Sequence, residues 1–96
     1  MAETKTYQIS QLLLKPMFGV VLNDALELPE LYMMELQSVL SVQGHDFVLE
    51  YVRPMSGGVH VLSIEPAADL EVSRRIAEWL SAREDVEYAE PDLPRR

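Results

Sequence analysis

The sequence predicts an α+β domain of element order β-α-β-β-α-β, a four-stranded antiparallel sheet with both helices on one face. Three observations carry that prediction. Apolar residues recur at three- and four-residue spacing in two stretches, 28–40 and 72–80. Residues 47–53 and 59–65 alternate, rich in β-branched and aromatic side chains, and Pro54-Met55-Ser56-Gly57-Gly58 joins them as turn chemistry. Two further apolar runs, 7–15 and 86–90, flank these elements, and each is closed by a proline.

Residues 1–6 are polar and expected to fray. Residues 7–15 read as a strand ending at Pro16. Leu12-Leu13-Leu14 is apolar on both faces, which suits a central strand or a bulge. Residues 17–27 form a connection with Gly19 and Asn23-Asp24 as turn residues. Pro29 suits the first turn of a helix and Glu30 its dipole. Leu28, Tyr32, Leu36, Val39 and Leu40 make its inner stripe, and Gly44 stops it. The strands 47–53 and 59–65 follow as a hairpin, and Pro66 is expected to end the second. Asp69 is the N-cap of a second helix with the stripe Val72, Ile76, Trp79 and Leu80, closed by Arg83. Residues 86–90 are the last strand, and two nearby prolines leave 92–96 extended.

Right-handed crossovers convert this order into the ferredoxin-like arrangement, with one sheet face lacking a helical layer. Strict alternation puts Glu50, Val52, Val61, Ser63, Glu87 and Ala89 on that face. A bare face carrying apolar residues is a candidate partner surface, although scattered exposed apolar residues are also ordinary.

The 96 residues hold one core and no second domain. A hydrophobic content of 48% is too high for an acidic disordered chain. Without Cys there is no disulfide framework, thiolate zinc site or Cys nucleophile. The net charge of −8 argues against nucleic acid and anionic membrane as partners. An RNA-recognition reading of the same element order fails on that charge and on the absence of aromatics from 59–65. No signal-peptide core or membrane span is visible, since Lys15-Pro16 interrupts the nearest apolar run.

Catalytic chemistry finds little support. His45 and His60 lack companion ligands at metal-binding spacing. No serine sits in G-x-S-x-G or S-x-x-K. The Gly57-Gly58 loop joins strand to strand, whereas phosphate loops lead into a helix. The chain is therefore expected not to be an enzyme and to need no metal or cofactor.

Two stretches are more specific. One is Leu49-Glu50-Tyr51-Val52-Arg53-Pro54-Met55-Ser56-Gly57-Gly58-Val59-His60-Val61-Leu62; the other is Asp85-Val86-Glu87-Tyr88-Ala89-Glu90-Pro91-Asp92. Together they resemble the propeptides of bacterial subtilisin-like serine proteases, the I9-type protease inhibitors, over residues 7–92. The resemblance implies an inhibitor of such a protease, and in a precursor also an intramolecular folding chaperone. It implies that the helix-free sheet face docks on the enzyme, while Glu90, Pro91, Asp92, Leu93, Pro94, Arg95 and Arg96 run toward the substrate cleft. Glu90 and Asp92 match the family's acidic positions before the tail. The sequence departs from the pattern at Pro94, which lacks an N–H for an added strand, and in stopping at Arg96. A secreted or periplasmic setting is implied as well. Homodimerisation stays open. The rival readings are an ACT-like small-molecule regulatory module, with its niche near Gly19 and Asn23-Asp24, and a structural adaptor using the bare face.

Overall fold

The structure is a computed structural model and describes residues 8–44 and 46–93. The expectations for residues 1–6, for Tyr7 and His45, and for Pro94, Arg95 and Arg96 lie outside the described residues. The elements are β1 (Ile9–Pro16), α1 (Glu30–Val42), β2 (Val48–Pro54), β3 (His60–Ala68), α2 (Leu70–Ser81) and β4 (Val86–Pro91), with a short 3₁₀ turn, Ser56–Gly58, in the β2–β3 hairpin. The sheet order is β2-β3-β1-β4, and every neighbouring pair is antiparallel. This is the predicted ferredoxin-like α+β arrangement.

One core lies between sheet and helices. Leu12, Leu14, Leu49, Leu62 and Ile64 from the strands meet Leu36, Leu40, Ile76 and Leu80 from the helices, all buried. The strand residues of this set alternate in sequence, as one buried sheet face requires. The helix residues recur at four-residue spacing, as an inward stripe requires.

Local signals explain the helix ends. The Asp69 carboxylate accepts from the Val72 N–H at 2.8 Å, capping α2. Pro29 stands at the N-cap of α1, one residue outside the helix, where it has no side-chain cap to offer. Gly44 follows α1 at φ +79°, a left-handed conformation that glycine adopts without a Cβ penalty.

Pro66 does not end β3. The strand continues to Ala68 through an irregularity in which Ile9 pairs with Ala68 but Gln11 with Ser63. A proline is tolerated there because an interrupted ladder does not call on its missing N–H. β3 also begins at His60, one residue later than the alternation predicts.

Long-range side-chain bonds fasten the helices. The Gln37 amide donates to the Phe47 carbonyl at 2.8 Å and accepts from the Leu49 N–H at 2.7 Å, tying α1 to the edge strand β2. Arg83, past the end of α2, reaches Asp85 through two 2.8 Å bonds and Glu35 of α1 through a third of 2.8 Å. Its guanidinium also lies 5.6 Å from the Tyr32 ring centre. Hydrogen bonding from Arg83 holds the Asp85 carboxyl below its ordinary range.

His60 is 2% exposed, and its Nδ1 lies 2.7 Å from the Tyr51 hydroxyl. Burial disfavours the imidazolium and lowers its pKa from 6.5. The unfolded chain therefore takes up a proton near pH 6.5 before the folded chain does, so His60 contributes stability above 6.5 that is lost as pH falls toward its folded value. Chemical denaturation from pH 7.5 to 5 should show this decline, and His60→Gln should flatten it. An unchanged slope in the variant would assign the decline to other groups. Asp85 acts in a separate, more acidic window: its contribution is present above 3.8 and is lost as pH falls through its lowered folded value.

Candidate functional site

The face of the sheet opposite the helices can be read row by row from the strand register. One row runs Arg53, Val61, Leu13, Glu90 across all four strands. A second runs Glu50, Ser63, Gln11 and reaches Asp92, whose N–H donates to the Gln11 carbonyl at 2.9 Å. A third pairs Lys15 with Tyr88, and Lys15 also meets Glu87 at 3.7 Å. Leu13, half-buried, is the apolar centre, with Val61 paired beside it but only 1% exposed, and charged residues stand round it. An apolar centre within a polar rim is the usual anatomy of a protein-binding patch.

Two β-bulges decide which residues reach this face. In β2 the register slips between Tyr51 and Arg53, so Val52 is the extra residue and Arg53 takes the place opposite Val61. In β4 it slips between Val86 and Tyr88, so Glu87 is extra. From Tyr88 onward the alternation is inverted. Tyr88 and Glu90 face away from the helices, and Ala89 pairs with Leu14 on the helix side.

The predicted face residues therefore divide. Glu50 and Glu87 are exposed on the face, Val52 is exposed at its bulge, Ser63 is half-buried, and Val61 is only 1% exposed. Ala89 does not belong to it. Ala89 packs against the core, and both its backbone groups meet the Ser81 hydroxyl, at 2.9 Å from N and 3.4 Å from O. The bulge at Glu87 is the physical reason. Leu13, Lys15, Arg53 and Tyr88 join the face without having been expected there. Only Leu13 had a signal, the apolar run Leu12-Leu13-Leu14, which requires apolar surroundings on both sides of β1.

The segment assigned to the tail also divides. Glu90 and Pro91 belong to β4, where Glu90 pairs with Leu13 and Pro91 with Leu12. Asp92 is still fastened to β1 through Gln11. Leu93 is the first residue past these bonds and is exposed. β4 is an edge strand, so the chain leaves the sheet at its rim.

Among the described residues no group of three or more His, Asp or Glu converges as a metal-binding set. Among them, too, no helix is long and apolar enough to cross a membrane. No family model, curated protein or solved structure matches the chain.

Proposed function

We propose that this chain binds and inhibits a subtilisin-like serine protease, laying its helix-free sheet face on the enzyme and directing residues 93–96 into the substrate cleft. What most supports this reading is the exit of the chain at the sheet rim. Asp92 is held to the same sheet that carries the apolar patch, at the edge strand β4, and Leu93 after it is exposed. The two stretches that resemble the propeptides lie on the β2–β3 hairpin and on β4, so they include both edges of that sheet.

The physics of such a complex is simple. An extended segment adds backbone hydrogen bonds to the edge of a cleft, as in strand addition. Glu90 and Asp92 offer carboxylates to unpaired N–H groups at helix N-termini of the enzyme. A domain that binds the native enzyme and not its unfolded chain stabilises the native state by mass action, which is the chaperone role within a precursor. Selectivity rests on the shape and charge of the sheet face, which has to complement one fold and clash with another.

The purified chain should slow subtilisin-type proteases and leave chymotrypsin-type proteases nearly untouched. Steady-state hydrolysis of a chromogenic peptide by a panel of each type measures this. Equal effects on both types, or none on any subtilisin-type enzyme, would remove the proposal.

A further inference from the structure

We propose that the end of the sheet beneath the β1–α1 connection is a binding site for a small uncharged molecule with an apolar body and one carbonyl-type acceptor. The site is a pair of adjoining clefts of about 380 and 400 Å³, both lined by Leu22, Gly58 and His60. Leu26, Pro54 and Met55 wall the first cleft. Each volume falls within the range of about 300–1,000 Å³ common for small-molecule sites.

The second observation is the His60 ring, which lines both clefts yet is almost wholly buried. Its Nδ1 is taken by the Tyr51 hydroxyl. Nδ1 is the acceptor within reach of the Tyr51 hydroxyl among the described residues, so we take the hydroxyl as donor to Nδ1 and place the ring proton on Nε2. Nε2 has no hydrogen-bond partner among the described residues, although none of their fully buried side-chain nitrogen or oxygen atoms goes unpartnered. It therefore retains access at the cleft floor as a single N–H donor between apolar walls.

The wall is pre-formed. The Asn23 side chain accepts from the Ala25 and Glu27 N–H groups, both at 2.9 Å, and closes a tight turn. Within it Leu26 is held at φ +63°, a conformation uncommon for leucine, with its side chain 66% exposed on the cleft rim. The Leu26 N–H helps close the turn by donating to the Asn23 carbonyl at 2.9 Å, while its side chain is left largely in water, and such backbone strain gathers at ligand sites.

Charge selects the class. The first cleft has no charged lining residue, and in the second Lys15 and Glu87 face each other as an ion pair. The net charge of −8 disfavours an anion, and an N–H donor disfavours a cation. A neutral acceptor remains. The inference does not rest on protease inhibition: the site lies at the opposite end of β4 from the chain exit, although Lys15 and Glu87 border both the second cleft and the sheet face.

Acetophenone, with ethylbenzene and phenylacetate as comparison probes, tests it by NMR titration of the full chain. Acetophenone should give saturable shifts centred on the His60 ring and the Leu22, Leu26 and Met55 methyl groups. One hydrogen bond should make it bind roughly five-fold more tightly than ethylbenzene. That advantage should vanish in His60→Phe, and phenylacetate should bind more weakly than acetophenone. Leu26→Asn keeps a residue that tolerates positive φ, so the turn should persist while affinity falls several-fold. Shifts that do not saturate, shifts scattered over the molecule, or unchanged affinity in a folded Leu26→Asn would overturn the site. Equal binding of acetophenone and ethylbenzene would overturn the role of His60, and tighter binding of phenylacetate would overturn the charge class.

Discussion

Removal of residues 93–96 is expected to abolish active-site inhibition while leaving the fold and its melting temperature nearly unchanged. Among the described residues the last backbone bond to the sheet comes from Asp92, just ahead of this segment, and no described core residue lies beyond it. The four residues add at most about 13 Å of reach at roughly 3.3 Å each. That length distinguishes a sheet face resting on the enzyme surface from a segment entering its cleft. Peptide hydrolysis and direct binding, measured with one subtilisin-type protease, should therefore separate. The truncated chain should keep measurable binding through Leu13, Tyr88 and their neighbours and lose inhibition. Full inhibition by the truncated chain would mean that the sheet face blocks the enzyme by itself, and the cleft-entry part of the proposal would be discarded.

Leu62→Ala should cost about 3 kcal/mol of stability, a typical loss for a buried leucine whose cavity cannot fully collapse. Leu62 is 0% exposed, in the first half of β3, paired with Leu12 on one side and Tyr51 on the other. A domain of this size has about 5–15 kcal/mol in total, so the variant should remain mostly folded at 25 °C. Its affinity for the protease should then fall only by the fraction unfolded. Urea denaturation and inhibition assays on the same preparation check both halves. A stability loss under about 1 kcal/mol would show that the site relaxes more freely than a close-packed core allows. A large loss of affinity in a folded variant would show that the helix side of β3 shapes the docking face.

The site was less legible than the fold, and particular residues show why. Glu50, Val61 and Ser63 could be placed because β2 and β3 keep simple alternation between Val48 and Tyr51 and between His60 and Ile64. Ala89 could not, because a single inserted residue at Glu87 reverses every side chain after it. Nothing in Val86-Glu87-Tyr88-Ala89 marks a bulge, since no glycine or proline stands there. Pro66 misled in the other direction. Proline ends most strands, and only the pairing of Ile9 with Ala68 shows that this strand continues.

The sequence by itself determined the number, type and order of the elements, the cap at Asp69, the stop at Gly44 and the inward stripes of both helices. These depend on neighbours within a few residues, where periodicity and capping chemistry act. Tertiary structure alone decided which residues face away from the helices, how Gln37 fastens the β2 edge, and how Arg83 reaches Glu35 across 48 positions of chain. It also brought Leu22, Leu26, Met55 and His60 to one end of the sheet. Register and side-chain partnership are settled between segments distant in sequence. There one extra residue, or one long side chain, changes the outcome without changing the local pattern.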